Sequence, residues 1–300
     1  MAILNIRAGI GFMVLTTVIF SVQDALSRHL AGQYNVLMIV MIRYWFFAVF
    51  AIALAVRSTG GLRGTFRTMH PALQGARGVL LVAQVCMVVL SFTLIGLIAS
   101  HAIFACYPLL IAALSGPVLG EKVGWRRWAA IAAGFAGVLV ILQPGYAAFT
   151  PATAVALLAA GMFAAYGLMT RYVARTDSAI TSFVWVGVAG AVAISCVGWW
   201  WWQPMAPHDM PLMAALCCTG VAGHWCLIKA YDLAEVSAVQ PFAYLQLVFA
   251  SLLGITIFNE VLQPHVALGG AIVVAAGLFT LWRERVRAGV RVKGAAAGGL

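Results

Sequence analysis

The chain has 300 residues, 64% of them hydrophobic and only 9% charged, with a mean hydropathy of +1.00. A soluble domain carries roughly 25% charged residues, so water is not the solvent for most of this surface. The long unbroken apolar runs also exclude a barrel, whose strands alternate apolar and polar residues. The net charge of +10 does not indicate nucleic acid, because Lys and Arg sit between and beyond those runs and gather on no water-facing patch.

Ten runs have the length of about 20 residues that crosses hydrocarbon as a helix. In chain order they are 8–27, 34–56, 76–97, 99–119, 125–142, 152–172, 179–201, 210–230, 236–258 and 264–282. The first is not read as a cleavable leader: only Arg7 precedes it, it is too long, and no small-residue cleavage site follows. Residues 286–300 are basic and then Gly/Ala-rich, a composition that predicts an unfolded tail resting on anionic headgroups. With ten spans, every Lys and Arg falls on one face except Arg28, alone on the other, and Arg43, inside the second run. The retention of basic loops in the cytoplasm then places both termini inside. Trp125 and Trp128 flank Arg126 and Arg127 at that interface, and Trp199 to Trp202 mark the opposite one. The six cysteines lie inside apolar runs without CxxC spacing and read as small buried hydrophobes, so neither a metal nor a cofactor is expected.

The two halves resemble each other. Residues 20–31 align without gaps with 163–174, matching Phe20 to Phe163, Arg28 to Arg171 and Ala31 to Ala174. Further on, Leu119-Gly120-Glu121 matches Phe258-Asn259-Glu260, and Ala136-Gly137 matches Ala276-Gly277. The expected organisation is one five-helix repeat over 1–145, a second over 146–285, and the tail 286–300. Five is odd, so the second copy enters the membrane from the opposite side, the inverted arrangement of alternating-access carriers. Glu121 is thereby expected at the cytoplasmic interface and Glu260 at the outer one.

The helix count, the repeat length, the stretch from Ala99 through Pro108 to Leu119-Gly120-Glu121, and Arg43 in the second helix resemble the drug/metabolite transporter superfamily. The resemblance is to its ten-helix EamA-type carriers and covers residues 8–285. Pro241 sits earlier in the ninth helix than Pro108 in the fourth, and Asn259 stands where that pattern has Gly. In character the chain is similar to YddG-type exporters of aromatic and other apolar amino acids. The resemblance implies an all-α polytopic protein, in the inner membrane if the source is bacterial, with a small-molecule substrate and the lipid bilayer as its partners.

An unpaired charge in hydrocarbon costs at least about 2.5 kcal/mol, so intramembrane ions are the first candidates. Asp24 and Arg43 differ in depth by roughly 7 Å, within reach of a guanidinium stem, and are expected to pair, as a clamp or as part of the site. A second set lies near mid-membrane: Gln84, Tyr107, His224, Trp225, Tyr244 and Gln246, with Gln23 and Tyr166 slightly off centre. Amides, phenols and an imidazole can bind a zwitterion without fixed charge, and ring faces suit an apolar group or a cation. Hydrogen bonding between helices is the alternative for each. His101 reads as a rim residue. Pro108, Pro117 and Pro241 interrupt helices four and nine as hinges or simple kinks. Gly116 with Gly120, and Ala129, Ala133 and Gly137, permit close packing within one bundle or between two copies in a homodimer.

No GxxxxGK[ST], HExxH or GxSxG is present, so neither an ATP-driven pump nor an enzyme is expected. The expected function is a secondary transporter exporting apolar or aromatic amino acids by alternating access. The alternatives are a carrier of another metabolite or a drug-like cation, and a non-transport receptor or enzyme. The topology has a direct test: cysteines replacing Glu121 and in the tail should be labelled only from the cytoplasm, and one replacing Glu260 only from outside. Labelling of both glutamate positions from one face would end the inverted reading.

Overall fold

The computed structural model describes residues 6–58, 60–119, 124–143, 150–173, 176–233 and 239–297, and every regular element among them is helical. The helices are α1 (Ile6–Ala31), α2 (Val36–Arg57), a short α3 (Gly61–Phe66), α4 (Pro71–Phe104), α5 (Tyr107–Leu119) and α6 (Trp125–Leu142). They continue with α7 (Pro151–Val173), α8 (Ala179–Gly198), α9 (Met210–Leu233), α10 (Leu245–Phe258) and α11 (Pro264–Ala297), with 3-10 turns at Trp199–Trp201 and Gln240–Tyr244. Helices α1, α2, α4, α7, α8 and α9 are long and apolar enough to cross a membrane, and α6, α10 and α11 add shorter apolar helices. The protein is an integral membrane protein.

Local chemistry sets the helix ends. Asn35 accepts the Leu37 N–H at 2.9 Å to start α2, and Ser178 accepts that of Thr181 at 3.1 Å to start α8. Proline opens α4, α7 and α11, where its missing N–H costs nothing. Left-handed residues close α6 and α10, Gln143 at φ 43° and Asn259 at φ 52°.

Two expectations change here. The fourth run is not one helix over 99–119: it comprises the end of α4 and then α5, separated by Ala105 and Cys106. The tail expected to be unfolded instead continues α11 to Ala297. Ala, Arg and Lys are good helix formers, and a helix already running needs no new nucleus. Glu121 and Gly120 lie outside the described residues.

Packing runs in pairs: α1 against α9 and α10, α4 against α7 and α8, α2 against α8, α5 against α7, and α6 against α11. In the last pair a Cβ on Gly137 would come 2.8 Å from the Gly269 carbonyl oxygen, so this glycine of the small-residue stripe serves close packing inside the bundle. Ala129 and Ala133 of the same stripe are exposed.

The sharpest backbone feature lies inside α4. Gly96 has φ 84° and breaks the helix, so Leu97 and Ile98 have no helical carbonyl for their N–H groups. The Glu260 carboxylate accepts both, at 2.8 and 2.9 Å, and forms an ion pair with Arg28 of α1. The Arg28 guanidinium also lies 4.0 Å over the Phe258 ring.

A second polar network closes the other end. Asp177 accepts from the Thr68 hydroxyl, from Gln74 Nε2 at 2.7 Å and from the Met69 N–H at 3.4 Å. The Gln74 oxygen accepts from Arg77, whose Nε donates to Thr170 at 3.2 Å. Arg77 thus counts among the loop cations in the sequence yet is buried, facing the Tyr166 ring at 5.3 Å.

Two predictions follow the backbone and this network. A Cβ on Gly96 would stand 2.6 Å from Glu260 Oε1 in a left-handed conformation, whereas one on Gly161 of α7 would meet nothing within 4 Å. Gly161→Ala should be neutral or stabilising by up to about 1 kcal/mol, and Gly96→Ala destabilising by more than about 1 kcal/mol, in thermal unfolding in detergent. Equal shifts would mean that the break is not strained. Burial pushes the Asp177 carboxyl up, but the hydrogen bonds from Thr68, Gln74 and Met69, with His70 nearby, outweigh it and hold the group below its ordinary value. Its stabilisation is therefore present above about pH 4 and lost as pH falls through the depressed value. Asp177→Asn should remove that part of the acid sensitivity of the melting temperature.

Candidate functional site

The helices enclose a cavity of about 410 Å³ bounded by α1, α2, α4, α5, α7, α9, α10 and the 3-10 turn before α10. Of the residues expected there from the sequence, Gln23, Gln84, Tyr107, Tyr166, His224, Tyr244 and Gln246 all line it, with Asp24, Arg43 and Pro108. Trp225 does not. One position from His224 on α9 it turns about 100° outward, is 44% exposed, and carries Lys229 at 5.2 Å over its ring. Pro117 lies inside α5 near its end, away from the cavity lining, and Pro241 lies in the 3-10 turn.

The expected ion pair between Asp24 and Arg43 is not formed. Asp24 Oδ2 accepts from Gln246 Nε2 at 3.0 Å and lies 3.2 Å from His101 Nε2. The imidazole approach has ion-pair distance without hydrogen-bond alignment. The reason is the rotation of the helices and not their depth. The Asp24 face of α1 meets α4 and α10, whereas Arg43 on α2 turns toward α9, where Gly220 leaves room for it. A Cβ at Gly220 would come within 3.3 Å of Gln23 Oε1 and 3.5 Å of Arg43 Nε, so both groups border that glycine. The buried Gln23 Oε1 has no hydrogen-bond partner, and Arg43 makes no ion pair among the described residues. Nor is His101 a rim residue: it is 5% exposed, stacks on Phe92 at 5.3 Å, and belongs to the cavity wall.

Two aromatic walls complete the site. On one, Phe104, Tyr107, Phe163 and Tyr166 form a run, with Tyr107 edge-on to Phe163 at 4.8 Å and Phe163 stacked on Tyr166 at 5.9 Å. On the other, His224 lies between Phe20 at 5.2 Å and Phe47 at 5.7 Å, and Tyr44 reaches Phe47 at 6.1 Å. The phenylalanines were not expected at the site from the sequence, where Phe20 and Phe163 stood out only as a repeat match and a cavity-facing ring on an apolar helix reads like a lipid-facing one. Tyr244 presents its ring to the cavity, but its hydroxyl points at α11, where only Gly277 leaves space. The arrangement can hold a flat ring between aromatic faces and opposite charges at a carboxylate and a guanidinium. Among the described residues no cluster of His, Cys, Asp and Glu could hold a metal ion.

Comparison with known proteins gives the same architecture a family. A solved crystal structure superposes with a TM-score of 0.62 over 92% of this chain and 97% of that one, at 18% identity, which speaks for the fold alone. An S-adenosylmethionine uptake transporter of Rickettsia prowazekii is 24% identical over 277 residues, 92% of this chain and 93% of its own. A riboflavin transporter of Vibrio cholerae is 32% identical over 188 residues, 61% of this chain and 62% of its own. The relatives are transporters and not enzymes. The signature of the EamA-like transporter family matches residues 7–143 and again 150–282, and the chain belongs to that family.

Proposed function

We propose that the protein is a secondary transporter whose central cavity binds a metabolite with a flat ring and a cationic or zwitterionic head, of the S-adenosylmethionine type. The carrying observation is one cavity in which two aromatic walls, a carboxylate and a guanidinium without an ion-pair partner among the described residues face the same space. Its volume of about 410 Å³ lies within the usual range for small-molecule sites. Arg43 with Gln23 suits an α-carboxylate and Asp24 an ammonium or sulfonium, while the ring lies along Phe163 and Tyr166. The apolar amino acids expected from the sequence share the zwitterionic head but leave the second aromatic wall without a partner. The whole-length relatives named for S-adenosylmethionine support the larger substrate.

Alternating access by an inverted five-plus-five repeat belongs to the same reading. The two matched segments have similar lengths and divide the chain where the repeat does. The packing of α1 on α9 is mirrored by α7 on α4, and that of α1 on α10 by α7 on α5, as exchange of the halves requires. The breaks before α5, next to Pro108, and before α10, at Pro241, supply the hinges.

Counterflow in proteoliposomes tests the substrate, with labelled S-adenosylmethionine competed by S-adenosylhomocysteine, riboflavin, phenylalanine and glucose 6-phosphate. Exchange of S-adenosylmethionine is expected, with weaker competition by the uncharged thioether. Arg43→Gln should weaken its binding by at least about tenfold, the loss of one charged hydrogen bond. Competition by riboflavin alone would assign the cavity to a neutral flavin. Competition by glucose 6-phosphate alone would overturn the site.

A further inference from the structure

Arg77 is 1% exposed near the start of α4, a costly place for a cation that a loop position a few residues earlier would have left in water. Its guanidinium lies 5.3 Å over the Tyr166 ring. Tyr166 lines the cavity and Arg77 does not, so the ring stands between the cation and the substrate space. We propose that Arg77 is a specificity-determining residue acting through Tyr166: it makes that end of the cavity electropositive, so that a neutral ring is accepted against Tyr166 and a ring carrying its own positive charge is rejected. This rests on the ring-binding reading above and adds to it the charge of the ring and the direction in which the substrate lies.

Two effects act in the same sense. A cation already over the ring engages its π-electrons, so the ring has less to offer a second cation. The charge also reaches past the ring. Across roughly 9 Å, ring included, two unit charges at an effective dielectric of about 20 repel enough to change binding by about tenfold or more.

The surroundings leave this charge uncompensated on the cavity side. Arg77 donates to the Gln74 oxygen and, through Nε, to Thr170 at 3.2 Å, and both partners are neutral. The acid of this network, Asp177, is one amide further off, accepting from Gln74 Nε2 at 2.7 Å, and is half-buried where water can screen it. Tyr166 lies one turn from Thr170, whereas Asp24 lies one turn from Arg28 of the clasp at the opposite end of the bundle. The cavity therefore has a carboxylate toward one end and a cation-backed ring toward the other. A substrate with a cationic centre and a neutral ring has one favoured direction, its cation to Asp24 and its ring to Tyr166.

The test compares two isomers: 1-methyladenosine, whose ring is cationic at neutral pH, and adenosine methylated on its exocyclic amino group, whose ring is neutral. Binding of each to the purified full-length protein in detergent is measured directly by equilibrium dialysis. The unaltered protein should prefer the neutral isomer by about tenfold or more. Arg77→Gln keeps hydrogen-bonding capacity toward Gln74 and Thr170 but not the charge, and should reduce the preference to about threefold or less. Arg77→Lys should retain most of it. Asp177→Asn removes the counter-charge and should raise the preference. That change of opposite sign is one that a brace between α4 and α7 does not produce, and it is readable even if Arg77→Gln fails to fold. Arg43 is unaltered throughout, so its own repulsion cancels in the comparison. A preference that is the same in the unaltered protein, Arg77→Gln and Asp177→Asn overturns the proposal and leaves the ring-binding reading intact. If neither isomer nor S-adenosylmethionine binds, the ring-binding reading falls, and Arg77 is tested at the ring itself by infrared spectroscopy of p-cyanophenylalanine in place of Tyr166. A nitrile frequency that shifts with Arg77→Gln and returns with Arg77→Lys upholds the electropositive wall, and an unmoved one overturns it.

Discussion

The constraint on which the rest of this structure depends is that a helix cannot be broken inside a membrane unless something in the protein takes over its hydrogen bonds. The chain breaks α4 at Gly96 and supplies Glu260 to accept the two N–H groups that the break exposes. The carboxylate is in turn matched by Arg28, itself over the Phe258 ring. These contacts join α1, α4 and the connection from α10 to α11 at one end of the bundle. Because the break is satisfied there, the segment behind it can bend inward and carry His101, Phe104 and Ala105 into the cavity wall.

The second organising fact is the economy of charge. Arg77 and Asp177, buried and half-buried, are linked through Gln74, and Thr170 and Thr68 complete their hydrogen bonds, so neither stands as an unmatched ion. Inside the cavity Asp24 has His101 and Gln246, while Arg43 is left with Gln23 as its neighbour. A guanidinium in such a place is costly to keep without a partner, and a substrate anion group relieves that cost. On the function proposed above, the cavity takes a molecule bringing both signs of charge, and its aromatic walls one that also brings a ring.

Composition, run length and the spacing of basic loops determined the solvent, the helical class and nearly every helix position in this protein, because each reports on a single segment against a uniform medium. Most of the polar cavity residues were legible for the same reason: an amide, phenol or imidazole in hydrocarbon has to face something polar. Only the tertiary structure decided which of them meet. Depth along a helix can be counted from sequence, but rotation about its axis is set by packing, so Asp24 turned to His101 instead of Arg43, and Trp225 turned to the outside beside His224. The aromatic walls were hidden because Phe20, Phe47, Phe104 and Phe163 satisfy lipid and cavity equally well until neighbouring helices choose between them. The break at Gly96 was marked in sequence only by a glycine near the expected end of a helix. Its meaning came from Glu260, more than 160 residues away, which the fold brings to within 3 Å of the freed backbone.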